Sequence, residues 1–523
     1  MKLAAASTIV FAATFAACYR PVTGPSPVNR RNAPAVIPAP VTFAVASRDS
    51  FLITPRTGVY VDSLAPAEVQ AIGDYAADLI ASQAGVTARR LAPGAVLPDS
   101  SIGLTLDSAR ADLGPEGYEL TATTAQVRIV AARPAGLFYG VQTLRQLLPA
   151  SVEHPAARAR RLILPAVHVV DRPRYAWRGA MLDVSRHFLP AADVKRFVDL
   201  LALYKMNRLH LHLSDDQGWR IEIKEWPELT AVGGQTAIGG APGGYYTQEQ
   251  YADIVAYARS RYVTIVPEID MPGHSNAALV SYPELTCDGV APPPFTAVGG
   301  PPNSLCVSKD TVYSFIDDVV REIVAAAPTP YFHIGGDEVR NLSPDQYRSF
   351  IARVQQIVTA AGARMVGWSE IAPANLSPNT IVQHWHADSV QLQAQRGGMV
   401  IMSPAAHAYI DQKFDSSTVL GLAWAGIVTL RRTYEWNPAA QIPGVGESSI
   451  LGVEGPLWAE TLLTRADYEY MAFPRLAALA EVGWTPSTLI DWESFRRRIG
   501  QQGARLAAMG VNFARVPGVN WAW

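Results

Sequence analysis

The spacing of apolar and polar positions changes along the chain and divides it into two folded regions. The first lies between about residues 41 and 170, where alternating apolar side chains predict strands at 57–61, 102–106, 118–123 and 126–131. Apolar residues at helical spacing predict two helices, over 66–83 and 137–148. These elements indicate a small α+β domain, and we find no catalytic constellation in its sequence.

The second region begins near Trp177 and alternates between short apolar segments and amphipathic helices. The apolar segments predict strands at 178–184, 208–213, 263–267, 330–334, 364–368, 380–385, 399–402 and 449–455. Eight strands alternating with helices indicate a (β/α)8 barrel, the TIM-barrel fold, so the fold class is α/β. A doubly wound open sheet is the alternative, and the lack of a glycine-rich loop after the first strand disfavours it.

The N-terminal segment has the pattern of an export signal. Lys2 supplies a positive charge, residues 3–17 are apolar and rich in alanine, and Cys18 follows two small residues. Small residues before a cysteine resemble the cleavage box of a bacterial lipoprotein, which predicts a lipid on Cys18 and attachment to a membrane. Phe15 stands where leucine is usual, so ordinary signal cleavage is the alternative. Either pattern predicts an exported protein of the periplasm or cell envelope.

Composition refines this division of the chain. We expect a signal peptide over 1–18, a proline-rich linker over 19–41, an α+β domain over 42–171 and the barrel over 172–523. Hydrophobic residues make up 49% of the chain and charged residues 17%, which is typical of a globular protein with ample cores. A net charge of -2 gives no reason to expect nucleic acid as a partner.

Two cysteines other than Cys18 lie in a loop rich in proline and glycine, at Cys287 and Cys306. In an exported protein such a pair predicts a disulfide bond that pins the loop. Metal binding is the weaker alternative, because no second cysteine or histidine lies at ligand spacing near either residue.

Polar or aromatic side chains follow the predicted barrel strands. After the fourth strand come the adjacent carboxylates Asp337 and Glu338, preceded by two glycines that allow a tight bend. The other strand ends carry Asp183, Arg186, Asp215, Glu268, Asp270, His274, Trp368, Glu370, Trp385, Tyr409, Asp411, Glu454, Trp458 and Glu460. In a barrel the C-terminal strand ends meet at one mouth. Because buried charges are costly unless they are paired or used, this set predicts an active site.

The residues around these strand ends also form motifs that occur together in a known family. In chain order they read LDVSRHF, HLHLSDDQGWR, PEIDMPGH, HIGGDEV, GWSE and GPLWAE. The series resembles family 20 of the glycoside hydrolases, the β-N-acetylhexosaminidases, from Trp177 to the C-terminus. Segment 117–140 resembles the small domain that precedes the barrel in that family.

The resemblance implies an exo-acting, retaining enzyme. Its substrate would be an oligosaccharide or glycoconjugate that ends in a β-linked N-acetylglucosamine or N-acetylgalactosamine. In this family the acetamido oxygen of the substrate attacks C1 to form an oxazolinium ion, which water then opens. Such chemistry needs one acid and base, one group that polarises the acetamide and a shaped acetyl pocket, and the expected cofactor content is none.

The resemblance assigns the catalytic roles to particular residues. Glu338 is expected to be the general acid and later the base. Asp337 is expected to accept a hydrogen bond from the acetamide N–H, and Tyr409 to donate one to the acetamide oxygen. Asp215 and His274 are expected to form a relay behind Glu338, and a structural histidine is the alternative for His274.

The resemblance also assigns residues that bind the substrate. The acetyl pocket is expected to be walled by Trp368, Trp385 and Trp458. The sugar hydroxyls are expected to bind Arg186, Asp411 and Glu460. The next sugar of the substrate is expected to meet loops such as 230–246 and 287–306, and their composition does not indicate which sugar that is.

Two other classes of function were weighed against this one. His210 and His212 lie on one face of a predicted strand, which would suit a metal-dependent amidohydrolase on a barrel. No further ligands are evident, and both histidines precede the strand end, so we predict that they lie in the core or support the residues that contact the substrate, and we predict no metal site. A sugar-binding lipoprotein without activity is the third class, and the presence of Asp337, Glu338 and Tyr409 disfavours it.

Overall fold

The structure is a computed structural model that describes residues 35–154, 162–386 and 388–522. The predicted signal peptide with Cys18, and residues 19–34 of the predicted linker, lie outside the described residues. The described chain forms a mixed sheet domain followed by a closed barrel. Within these ranges no helix combines the length and the apolar character needed to cross a membrane.

The N-terminal domain is a seven-stranded sheet that carries two helices. Its strands are β1 (Thr42–Ile53), β2 (Gly58–Asp62), β3 (Thr87–Leu91), β4 (Ser101–Leu106), β5 (Tyr118–Ala122), β6 (Gln126–Ala131) and β7 (Leu162–Asp171). Its helices are α1 (Ala67–Ala84) and α2 (Pro134–Leu147). The strand order across the sheet is β1-β7-β5-β6-β4-β2-β3. The apolar stripes that predicted both helices are buried, for example at Val69, Ile72, Val141 and Leu144.

Three strands of this sheet, β1, β3 and β7, do not follow from the sequence pattern. β3 is an edge strand with mostly exposed side chains, so it needs no apolar alternation. β1 changes register between Val45 and Ser50, which breaks its period of two. β7 contains Pro165, which argues against a strand, yet Pro165 lies opposite Ser50 where the ladder is already irregular.

The second domain is a closed barrel of eight parallel strands. They are β8 (Trp177–Asp183), β9 (Arg208–His212), β12 (Thr264–Glu268), β13 (Tyr331–His333), β14 (Arg364–Trp368), β15 (Ile381–His384), β16 (Met399–Met402) and β17 (Ile450–Leu457). β17 pairs with β8, and β9 with β12, which closes the ring. The predicted TIM barrel is therefore confirmed. Two short strands outside it, β10 (Ser214–Asp215) and β11 (Gly218–Trp219), pair with each other.

Helices between and after these strands cover the barrel. They are α3 (Ala191–Leu203), α4 (Glu228–Ala231), α5 (Gln248–Arg259), α6 (Asn276–Ser281), α7 (Asp310–Ala326), α8 (Pro344–Ala360), α9 (Gln391–Gln395), α10 (Ala405–Ala408), α11 (Leu430–Tyr434), α12 (Arg465–Ala472), α13 (Arg475–Trp484) and α14 (Trp492–Ala508). α8 begins with a capping box between Ser343 and Gln346. This cap fixes where the loop after β13, which carries the two acids, turns into helix.

The last residues of the predicted linker belong to the folded body. Ile37 is buried, and its backbone N–H and carbonyl both hydrogen-bond to the amide side chain of Gln146. The N–H of Ala39 donates to Oε2 of Glu481, 2.8 Å away. The linker thus ends before the predicted boundary at residue 41, because the backbone groups of these residues are satisfied by side chains of both domains.

A buried ion pair joins the two domains. Nζ of Lys205 lies 3.0 Å from Oδ2 of Asp171, and both side chains are fully buried. Asp171 also accepts hydrogen bonds from the hydroxyl of Tyr118 and the indole N–H of Trp484. The ammonium group lies over the rings of Tyr118 and Trp484. Every partner of the carboxylate is a donor, so the cost of burying its charge is offset by these contacts.

Candidate active site

The loop after β13 carries Asp337 and Glu338 to the mouth of the barrel. Gly335 and Gly336 have positive φ angles, and a Cβ at Gly335 would lie 1.8 Å from Oδ1 of Asp270. The same Asp270 oxygen accepts the backbone N–H of Gly336 at 3.0 Å. Glycine is therefore required at residue 335, and Asp270 fixes the bend that aims both acids into the mouth.

The two adjacent acids lie in different environments. Asp337 is buried, and its Oδ1 has no hydrogen-bond partner among the described residues. The side chain of Glu338 is 45% exposed, and its Oε1 lies 3.2 Å from Nη2 of Arg340. Glu338 also has a positive φ of 54°, which is uncommon outside glycine. One carboxyl thus faces an enclosed space and the other faces solvent, which suits two unlike roles.

His274 lies behind both acids and connects them to Asp215. Its Nε2 lies 3.9 Å from Oδ2 of Asp337 and 3.8 Å from Oε2 of Glu338. Its Nδ1 lies 3.4 Å from Asp215 and 3.5 Å from Asp216. Burial lowers the pKa of His274, but the negative charge of Asp215 and the other carboxylates outweighs burial and raises that pKa well above its usual value.

Asp215 is the most heavily paired of the predicted site residues. Its Oδ2 lies 2.6 Å from Nη2 of Arg186 and 2.9 Å from Nε2 of His212. Burial alone would raise the pKa of Asp215, yet Arg186, His274 and His212 together hold it well below its ordinary value. Asp215 is therefore a carboxylate at neutral pH, and it ties Arg186 to His274.

Four aromatic rings at the C-terminal ends of the strands form a wall beside the acids. The ring centroid of Trp458 lies 5.9 Å from that of Trp368 and 6.5 Å from that of Tyr409. The ring of Trp385 stacks at 6.2 Å on Tyr409, with 22° between their planes. Burial, followed by the charge of Asp337, raises the pKa of Tyr409 well above its usual range, so its hydroxyl remains a donor.

Trp424 joins this wall, although the sequence interpretation did not assign it to the site. Its ring meets Tyr409 edge-on at 5.5 Å and Trp385 edge-on at 5.8 Å. The residue is 54% exposed, so it lies at the rim of the wall and not in its depth. Trp424 follows no strand directly and lies in a long loop after β16, so the strand-end rule does not find it.

Polar groups that can bind a ligand lie in the loops after β8, β16 and β17. Arg186 uses three of its five N–H groups on Asp183, Asp215 and Gln217, which leaves two for a ligand. Its guanidinium lies 4.8 Å from the centroid of Trp458. These pairings hold the guanidinium in place before any ligand binds.

Asp411 and Glu460 complete this polar side of the site. Oδ2 of Asp411 accepts the side-chain N–H of Gln412, while its buried Oδ1 has no partner among the described residues. Burial, followed by the charge of Glu460, raises the pKa of Asp411 to about 8. Burial also raises the pKa of Glu460, with Arg186 acting against it. The charge of Glu460 thus acts on Asp411, and the charge of Arg186 acts on Glu460.

Beneath the site, the barrel interior contains a network of histidines and glutamates. Oε1 of Glu268 accepts the indole N–H of Trp368 at 3.0 Å, and its Oε2 accepts from Nδ1 of His212. Nδ1 of His210 lies 2.9 Å from Oε1 of Glu454. His210 and His212 are therefore core residues, as predicted, and Glu268 supports the ring of Trp368 from below.

Some of the residues whose metal-ligating atoms lie close together belong to this network, and the others lie around Asp215, Asp270 and His274. Within the described ranges, His210, Glu268 and His333 form one such group, and Asp270, His274 and Asp337 form another. Burial lowers the pKa of His210, but Glu268 and Glu454 outweigh it and raise that pKa to about 9. A protonated imidazole does not bind a metal, so the pairing favours a hydrogen-bonded network. The absence of a metal site stays a prediction.

The disulfide predicted between Cys287 and Cys306 is present, with a sulfur–sulfur distance of 1.99 Å. The loop that it closes lies against the site. The amide of Gln217 donates to the carbonyls of Ala297 and Gly299, each at 2.9 Å. Asn341, three residues after Glu338, donates to the carbonyl of Pro302. The loop therefore holds in place both Gln217, which is a partner of Arg186, and the segment that follows the two acids.

Comparisons with known proteins agree with this geometry. The catalytic-domain model of glycosyl hydrolase family 20 matches residues 175–487, and the domain 2 model of that family matches residues 33–172. A β-N-acetylhexosaminidase of Cellulomonas fimi is 41% identical over 93% of this chain and 97% of its own length. A β-hexosaminidase of Porphyromonas gingivalis is 36% identical over 91% of this chain and 64% of its own length.

Solved structures show the same similarity. The family 20 β-N-acetylhexosaminidase of Streptomyces coelicolor has 45% sequence identity and a TM-score of 0.89, over 93% of this chain and 99% of that chain. A mutant Streptomyces plicatus β-hexosaminidase in complex with its product GlcNAc has 45% identity and a TM-score of 0.89, over 96% of this chain and 99% of that chain.

Proposed function

Because the chain belongs to glycosyl hydrolase family 20 and is a β-N-acetylhexosaminidase, we propose that it removes terminal N-acetylhexosamine units one at a time with retention of configuration. The substrate class is an oligosaccharide or glycoconjugate that ends in β-linked N-acetylglucosamine or N-acetylgalactosamine. The nucleophile is the acetamido oxygen of the substrate, as is general in this family.

In the first step, Glu338 gives its proton to the glycosidic oxygen. The C1–O bond to the leaving group breaks as the acetamido oxygen bonds to C1, which produces an oxazolinium ion. Asp337 accepts a hydrogen bond from the acetamide N–H and stabilises the positive charge that develops there. Tyr409 donates to the acetamide oxygen and holds it at attacking distance.

In the second step, the Glu338 carboxylate removes a proton from a water molecule. The resulting oxygen bonds to C1, the bond between C1 and the acetamido oxygen breaks, and the acetamide is restored. C1 is inverted twice, so the product keeps the β configuration. Glu338 regains its proton and is ready for the next turnover.

One observation carries this proposal: the buried Oδ1 of Asp337 has no partner among the described residues and lies in an aromatic-walled site. A buried acceptor without a partner is costly unless a ligand donates to it. An acetamide N–H is such a donor, and its methyl group suits the faces of Trp368, Trp385 and Trp458. Two adjacent residues are poorly placed to flank a glycosidic bond from opposite sides, which argues against an enzymatic carboxylate nucleophile.

The polar side of the site supports exo action. Arg186, Asp411 and Glu460 are positioned to bind the hydroxyls of the terminal sugar, and the unpartnered Oδ1 of Asp411 is a ready acceptor. Charged groups that bind the hydroxyls of the terminal sugar favour a pocket that holds its non-reducing end, as exo action requires. Trp424, at the rim, offers a flat face to the sugar on the leaving-group side.

The test uses an aryl β-N-acetylglucosaminide, a substrate that releases a coloured phenol. We expect the purified protein to release it, and Glu338→Gln to abolish most of this release, with the largest loss for the most basic leaving groups. A thiazoline that mimics the oxazolinium ion should inhibit strongly. Sugar binding without turnover in the unsubstituted protein would instead support a binding protein, and a covalent glycosyl-enzyme trapped by a fluorosugar would overturn the substrate-assisted mechanism.

We also propose that the protein is exported and anchored through a lipid on Cys18. The support is the sequence pattern of residues 1–18 alone. Incorporation of a radiolabelled fatty acid into the protein, lost in Cys18→Ser, would support the anchor. Release of unlabelled protein into the soluble periplasmic fraction would instead support ordinary signal cleavage.

A further inference from the structure

Glu370 lies beside the acetyl pocket, yet none of the roles above uses it. It lies in the short 3-10 helix Ser369–Ile371 that follows β14. Its Oε1 and Oε2 lie 3.2 and 3.1 Å from the indole Nε1 of Trp385, which donates to both. The Oγ of Ser369 accepts the backbone N–H of Trp385 at 3.2 Å. Two consecutive residues therefore hold Trp385 at both its ring and its backbone.

The ring of Trp385 is only half-buried, so packing alone does not fix it. It contacts Tyr409 on one side and Trp424 on another, and both contacts depend on its orientation. Rotation about the second side-chain torsion of tryptophan has broad minima, and the indole N–H is the polar group that selects one of them. The carboxyl of Glu370 thus determines which face Trp385 presents to the pocket.

Glu370 is held next to Asp337 in an electrostatically crowded place. Burial, followed by the negative charge of Asp337, raises the pKa of Glu370 to about 8. The charge of Glu370 in turn contributes to raising the pKa of Tyr347 and of Tyr409. The two nearly equal distances show that either oxygen of Glu370 can accept the indole N–H. A glutamine at this position would offer the same acceptor.

We propose that Glu370 is a positioning residue that sets the width of the acyl pocket by fixing the ring of Trp385. It acts through the indole and does not touch the substrate. The consequence is selectivity at N2 of the sugar, where an acetyl group fits and a longer acyl group meets the ring. This inference rests on the proposed function, because it assumes that the acetamide lies against Trp385.

The experiment compares the full-length protein on an aryl 2-acetamido glucoside and the matching aryl 2-propionamido glucoside. The ratio of kcat/KM values for the two substrates measures pocket width, and one methylene group changes such ratios by about 10-fold or more. Glu370→Ala should lower the ratio roughly 10-fold, mainly because the longer substrate gains. Glu370→Gln keeps the acceptor and should retain the ratio of the unsubstituted protein.

Trp385→Phe removes the N–H donor and keeps an aromatic ring. It should lower the ratio as Glu370→Ala does, and the double variant should show no additional loss because both changes remove the same contact.

An unchanged ratio in Glu370→Ala, or losses that multiply in the double variant, would overturn the proposal. If Glu370→Ala does not fold in a thermal scan, an unchanged ratio in Trp385→Phe overturns it instead. Failure of the unsubstituted protein to hydrolyse the acetamido substrate would contradict the proposed function. That outcome is distinct from an unchanged ratio, which contradicts only the role of Glu370.

Discussion

The Nδ1 atom of His274 lies 3.4 Å from Oδ1 of Asp215, while its Nε2 lies between Asp337 and Glu338. The same buried Asp215 lies 2.6 Å from Nη2 of Arg186. One carboxylate thus links the residues expected to move protons with the residue expected to bind hydroxyls. Substitution of Asp215 should therefore affect both proton transfer and the binding of the sugar hydroxyls.

Asp215→Asn should shift the pH dependence of the reaction. Asp215 contributes to the raised pKa of His274, so removing its charge lowers that pKa, while Asp216 and Asp337 still act to raise it. The imidazolium is then lost at a lower pH, and the alkaline limb of the kcat/KM profile should move in the acidic direction. Measuring kcat/KM from pH 4 to 9, chosen to span the ordinary histidine pKa, checks this. An identical profile with only a raised KM would limit Asp215 to holding Arg186.

Asp337→Asn should reduce kcat by about 100- to 1000-fold and change ground-state binding little. The carboxylate charge stabilises the oxazolinium as it forms, whereas an amide of the same size still fills the site. Steady-state kinetics on an aryl N-acetylglucosaminide and the Kd of free N-acetylglucosamine are the two measurements. A large rise in KM with kcat retained would show that Asp337 acts on binding and not on the transition state.

Trp424→Ala should raise KM for a chito-oligosaccharide roughly fivefold, the factor expected for the loss of about 1 kcal/mol of aromatic contact. A glycosyl fluoride has no sugar on the leaving-group side, so its KM should not change. Val419→Ala is a matched control, because Val419 lies in the same loop and is 89% exposed without being part of the aromatic wall. Equal effects on both substrates would place Trp424 in the acetyl pocket.

Lys205→Met should destabilise the protein by about 3–5 kcal/mol, because Asp171 would remain as a buried charge without its cation. The double variant Lys205→Met with Asp171→Asn should lose less, since no unpaired charge remains. Denaturant unfolding of the unsubstituted protein, the single variants Lys205→Met and Asp171→Asn, and the double variant gives the comparison. Additive losses would mean that the ion pair itself contributes little at this domain contact.

The barrel and the acid pair could be predicted from the sequence because both depend on local order. Buried parallel strands produce short apolar runs, and the chemistry follows their C-terminal ends, so Asp337, Tyr409 and Asp411 could be picked out as candidates by position, while the resemblance to family 20 assigned their roles. The edge strand β3 and the bulged strand β1 were not predicted from the sequence. Their apolar and polar side chains need not alternate, because hydrogen bonds to an adjacent strand hold them in the sheet. The folded end of the linker was missed for a related reason, since its partners Gln146 and Glu481 are distant in sequence.

The sequence by itself determined which strand-end side chains reach the barrel mouth, because strand period and motif spacing are properties of neighbouring residues. The tertiary structure decided which of them meet. It placed Trp424 against Tyr409 and Trp385, Glu370 against the indole of Trp385, and Asp215 between Arg186 and His274. Those partners come from different strands and loops. Only closure of the barrel brings them within hydrogen-bond or ring-contact distance, where the charges of neighbouring residues outweigh burial and shift the pKa values of Asp215 and His274.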